Sequence, residues 1–110
     1  MKDIADSTLA HFRQMESLSV SLAEKDLAIF EHYYDVMAFG SFSIVVGRSK
    51  RRLKFEWDGK EFCLVVYGAS FSSSRSIANW TRKEYVDSVS QIGTNPFPVI
   101  REVIEEEWGQ

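Results

Sequence analysis

The chain has 110 residues, of which 45% are hydrophobic and 26% charged. That is the balance of a globular protein, at a length that fits one domain over residues 1–110. Disorder, a collagen-like fibre and a membrane span are excluded as descriptions of the whole chain. Net charge is −3, but it is segregated. Residues 1–47 carry three basic and seven acidic side chains, residues 48–60 carry six basic and two acidic, and residues 94–110 carry Arg101 against four glutamates. An acidic start, a basic middle and an acidic end can steer a charged partner, while the overall acidity weighs against non-specific nucleic-acid binding.

The first third reads as two helices. Leu9, Phe12 and Met15 recur at helical spacing after a possible cap at Asp6 or Ser7. The alternating run Ser17–Leu22 is expected to interrupt that helix. Ser21-Leu22-Ala23-Glu24 then has the form of a capping box, and Ala23, Leu27, Phe30, Tyr34 and Met37 step by four and three toward a stop at Gly40. After Gly40 the period changes to two. Phe42, Ile44 and Val46 form one face of a strand, Gly47 to Lys50 a turn, Arg51 to Trp57 a second strand, and Lys60 to Tyr67 a third. Asp58-Gly59 reads as a two-residue hairpin centre, which would set Trp57 opposite Lys60, Phe55 opposite Phe62 and Leu53 opposite Leu64.

Gly68 to Ser76 is a serine-dominated loop, with Arg75 inside it. Thr81-Arg82-Lys83-Glu84 repeats the capping-box form and predicts a short helix to Gly93. Asn95-Pro96 opens a final amphipathic helix through Phe97, Ile100, Val103, Ile104 and Trp108. Glu105, Glu106 and Glu107 lie at the wrong end of that helix for its dipole, unless the basic hairpin lies opposite. The expected fold is α+β: a two-layer sandwich of N-terminal helices, a three-stranded antiparallel meander and two C-terminal helices.

Motifs for chemistry are sparse. No dinucleotide or phosphate loop, no His-Glu-x-x-His and no Cys-x-x-Cys pair occurs in the sequence. Cys63 is expected as an inert buried thiol and His32 as a surface residue rather than a ligand. Glu56, Asp58, Lys60 and Glu61 resemble a nuclease carboxylate set only superficially, because the turn already explains Asp58. No metal and no cofactor is expected, and the chain is not read as an enzyme. The acidic first residues lack the cationic segment of a signal peptide, and the single cysteine gives no intramolecular disulfide, so a cytoplasmic setting away from membranes is expected.

Two surfaces stand out. The outer sheet face should show Val45, Cys63, Val65 and Tyr67 beside Arg52 and Lys54, too apolar for full solvation, and one of the chain's own helices is the first candidate to cover it. The hairpin 48–60 places cations beside Trp57, as nucleic-acid contact would need. The leading expectation is a small non-enzymatic protein-interaction module of adaptor, chaperone or inhibitor type, binding a protein partner or pairing as a homodimer. Its contacts would be Arg48, Arg52, Lys54, Trp57, Tyr67 and Arg75. A nucleic-acid-binding accessory protein is the alternative.

Overall fold

The structure, a computed structural model, describes residues 2–70, 81–86 and 95–109. A 23-residue helix, α1 (Lys2–Glu24), leads into five strands: β1 (Ala28–Asp35), β2 (Ser41–Arg48), β3 (Arg51–Asp58), β4 (Cys63–Ser70) and β5 (Thr81–Val86). The chain then enters α2 (Phe97–Trp108). The strands form one antiparallel sheet in sequence order, β1-β2-β3-β4-β5. The class is α+β as expected, but among the described residues the meander has five strands rather than three.

One helix occupies the place of the first expected break. α1 runs through the serine-rich segment with a hydroxyl turned back onto the helix: Ser19 Oγ donates to the Met15 carbonyl at 2.8 Å, as Thr8 Oγ1 does earlier in α1 to the Ile4 carbonyl at 2.9 Å. Its buried stripe is His11, Met15, Leu18 and Leu22, whereas Leu9 and Phe12 remain about half exposed. The helix stops at a Schellman turn. Leu27 N–H donates to Leu22 O and Asp26 N–H to Ala23 O, with Asp26 in the left-handed region at φ 59°. Leu27 and Leu22, the two apolar residues bracketing that turn, are both in the core.

The expected second helix over residues 23–37 is therefore a strand, β1. Its Ile29, Phe30, Tyr33 and Tyr34 are branched or aromatic and suit a pleated surface, which outweighs their incidental helical spacing. The short helix expected after Thr81 is likewise a strand, β5. The remainder of that expectation, to Gly93, lies outside the described residues.

The β3–β4 connection is longer than two residues. Asp58 pairs with Cys63, Trp57 with Leu64 and Phe55 with Val66. Asp58 Oδ1 accepts from the N–H groups of Lys60 (2.9 Å) and Glu61 (3.1 Å), and Phe62 closes the turn at φ 54°. Gly59 serves close approach rather than positive φ: a Cβ there would lie 2.0 Å from the Phe39 carbonyl oxygen. The slip relative to the expected register is even, so every side chain keeps its expected face.

The inner face consists of Phe42, Ile44, Val46, Leu53, Phe55, Trp57, Leu64 and Val66. These pack with Met15, Leu18 and Leu22 of α1 and with Phe97, Ile100 and Ile104 of α2. Asn95 Oδ1 accepts the Phe97 N–H at 3.1 Å and starts α2 as its sequence anticipates. The glutamates at its end meet cations as required: Glu105 binds Lys25 at 2.6 Å, and Glu107 pairs with Arg51 of the hairpin.

Candidate functional site

The outer face follows from strand parity. Across β1 to β4 one row reads Glu31, Val45, Lys54, Tyr67, and the next reads Tyr33, Ser43, Glu56, Val65. A bulge at Phe30 turns that ring toward the same side, where the Arg52 guanidinium carbon sits 3.7 Å from its centroid. Lys54 Nζ lies 4.9 Å from the Tyr67 ring centroid and 3.6 Å from Glu56. Both described helices contribute their buried residues to the opposite face, so neither is the cover expected for this one, although Val45 on it is only 4% exposed. Phe30 and Tyr33 are 48% and 62% exposed.

The expected contact residues divide. Arg52, Lys54 and Tyr67 share the outer face. Trp57 does not: its parity is that of Leu53 and Phe55, it is buried in the core, and this corrects its place among the surface contacts. Arg48 is exposed at the end of β2 and donates to the Lys25 carbonyl at 2.7 Å, tying the start of the hairpin to the end of α1. Arg75, like residues 71–76 of the serine-rich loop, lies outside the described residues.

The hairpin cations are also occupied within the fold. Arg51 pairs with Glu107, Arg52 donates to the Ser49 and Arg51 carbonyls at 2.8 and 2.9 Å, and Lys60 lies near the Phe39 ring. A phosphate backbone would have to compete with these partners. Glu56 projects from the outer face while Asp58 caps its turn. Among the described residues, no three His, Cys, Asp or Glu side chains group as a metal site would need.

One constellation had no sequence signal. His11 of α1 and His32 of β1, 21 residues apart, place their Nε2 atoms 2.8 Å apart. The rings are nearly coplanar at 12°, with centroids 5.1 Å apart. That centroid distance matches the N···N distance plus the two ring radii, so the nitrogens face each other along one line. Such a line suits one shared N–H···N bond. Two metal-bound imidazoles would instead need lone pairs converging at roughly a right or tetrahedral angle. His11 also stacks on Tyr34 (centroids 4.0 Å) and meets Phe12, Phe42 and Phe97. Burial first, and the neighbouring His32 second, push its pKa down to about 4. Burial lowers that of His32 as well. Beside His11 lies a cleft of about 500 Å³, walled by Ser7, Tyr34, Phe39, Gly40 and Trp57 among others. His11 itself lines it as well, with Ala10, Val36 and Gly59, so the cleft mixes polar and apolar groups but holds no carboxylate, lysine or arginine.

Comparison with protein-family models, curated proteins and solved structures finds no match to this chain. Among the described residues, no helix is long and apolar enough to cross a membrane.

Proposed function

We propose that the protein is a non-enzymatic protein-interaction module of adaptor, chaperone or inhibitor type, and that it binds through the outer face of its sheet. The observation that carries this reading is the face itself. Both described helices pack on the other side, and Phe30, Tyr33, Arg52, Lys54 and Tyr67 share the face of a sheet whose inner side is core. Aromatic and arginine side chains on a fixed scaffold are the usual energetic anchors of protein recognition, because they bury large areas with few rotatable bonds. Three strands, β1, β3 and β4, hold these groups, so little ordering cost accompanies binding.

The test is capture from a lysate of the source organism on immobilised protein. Wild-type protein is expected to retain a defined partner, and Tyr67→Glu to lose it while keeping its circular dichroism spectrum and melting temperature. Retention of the same partner by Tyr67→Glu, or capture of nothing by the wild type, overturns the reading.

A further inference from the structure

The sheet has two edges, and they differ in charge and in what flanks them. Among the described residues β5 ends the sheet with Thr81-Arg82-Lys83-Glu84-Tyr85-Val86, and its register slips at Lys83. A charged, bulged strand is a common guard against further pairing. β1 ends the other side. After its bulge at Phe30, residues Glu31–Asp35 pair regularly with β2, and among the described residues no strand pairs with the opposite edge of β1. This stretch contains no proline, lysine or arginine.

We propose that β1 takes up an extended segment of a partner protein as an additional strand, and that the segment alternates apolar residues with Lys or Arg. The proposal deepens the interaction reading by naming its docking edge and the chemistry of its partner. The alternation follows from what lies on each side of β1. On the helix side, Phe12 is 49% exposed with its ring 5.6 Å from that of His32, and Leu9, one turn earlier on α1, is 51% exposed. A side chain of the added strand pointing inward would meet this apolar shoulder. On the outer side, Glu31, Tyr33 and Asp35 follow one another at every second position. A side chain pointing that way meets two carboxylates and a phenol ring, a surface suited to a cation. Main-chain bonds along the edge would supply affinity, and the alternating side chains specificity.

Charge decides against a second copy of this chain as the occupant. An antiparallel β1 pair about a two-fold axis brings Glu31 and Asp35 of both copies together, with no lysine or arginine in either strand to compensate. Like charges placed across a strand pair destabilise it.

The probe is a fluorescein-labelled, end-capped peptide of four Ile-Lys repeats, titrated by anisotropy against the full chain. Saturable binding is expected, with new hydrogen-exchange protection at His32–Tyr34 and none at β5. Glu31→Lys, a change at an exposed position, should weaken the peptide at least tenfold and create binding to the matching Ile-Glu peptide. Phe12→Gln should weaken the Ile-Lys peptide by about tenfold without altering the charge preference. Replacing a central isoleucine of the peptide by proline should abolish binding, since it removes a strand donor. No binding up to about 1 mM peptide, the weak end of specific recognition, overturns the proposal. So does affinity unchanged by Glu31→Lys, or protection away from β1. A dimer in sedimentation that Glu31→Lys disrupts would assign the edge to a second copy and overturn it equally. If the peptide fails while Tyr67→Glu still releases a captured partner, the edge proposal falls and the interaction reading stands. Capture of nothing by wild-type protein removes that reading instead.

Discussion

The two faces of the sheet are built from alternate residues of the same strands, yet they do different work. On β3, Leu53, Phe55 and Trp57 are buried beneath α1 and α2, while Arg52, Lys54 and Glu56 alternate with them on the side opposite the helices. Each inner residue removes apolar area from water, at about 25 cal/mol per Å². The outer residues bury less and pair loosely, as Lys54 and Glu56 do at 3.6 Å. Along β3, stability is thus concentrated on the inner face, while on the outer side Val45 of the neighbouring strand is buried as well. Neighbouring substitutions test this division most severely. Phe55→Ala should lower unfolding free energy by about 3–5 kcal/mol, because a fully buried ring leaves a cavity that rigid strands cannot close. Glu56→Ala, one residue away, should change it by less than about 1 kcal/mol, as for other exposed ion pairs. Urea denaturation of both variants checks the contrast; equal losses would show that the outer face is also structural.

Between the two layers, where α1 meets β1, the histidine pair makes the same comparison depend on pH. His11 is neutral in the folded protein down to about pH 4, whereas an unfolded chain protonates it near 6.5. The unfolded state therefore binds more protons throughout that window, and stability falls as pH drops from 6.5 to 4. Below 4 both states carry the proton and the loss from this residue stops growing. The full shift corresponds to about 3 kcal/mol. His32, whose pKa is also lowered by burial, acts in the same direction. His11→Phe keeps an aromatic ring against Tyr34 and removes the titration. Its stability is expected to fall by about 2–3 kcal/mol less than the wild type's between pH 7 and 4.5, the slope that remains being that of His32, as read from denaturation midpoints.

How much of this was legible in the sequence depends on whether the signal is local. The strands β2 and β3 and the final helix were, because alternation at Phe42–Val46, the helical spacing of Phe97, Ile100 and Ile104, and the Asn95 start all act within a few residues. The faces of the hairpin were legible even though its register was not, since a slip of four residues leaves parity intact. β1 was not. Its Phe30 and Tyr34, with Leu27 just before it, satisfy a helical period and a strand composition at once, and only pairing with β2 decides between them. Of the expected contacts, Arg52, Lys54 and Tyr67 do share a face, while Trp57 belongs to the core on its parity alone. The His11–His32 contact joins α1 to an edge strand and has no local correlate at all.

The end of α1 shows the most specific reason for a misread boundary, and it yields the smallest of the expected effects. A Schellman turn normally announces itself by glycine at its left-handed residue. Here Asp26 holds that position at φ 59°, so the stop signal is missing from the sequence while its hydrogen bonds are present in the fold. An L-residue with a side chain pays a steric cost in this region that glycine avoids, although aspartate tolerates it better than most. Glycine in turn gives the unfolded chain more freedom, which offsets part of the gain. Asp26→Gly should therefore stabilise the protein by about 0.5–1 kcal/mol, a rise of a few degrees in melting temperature for a chain of this size. A fall in melting temperature would instead mean that the Asp26 side chain contributes more to the α1–β1 junction than its backbone strain removes.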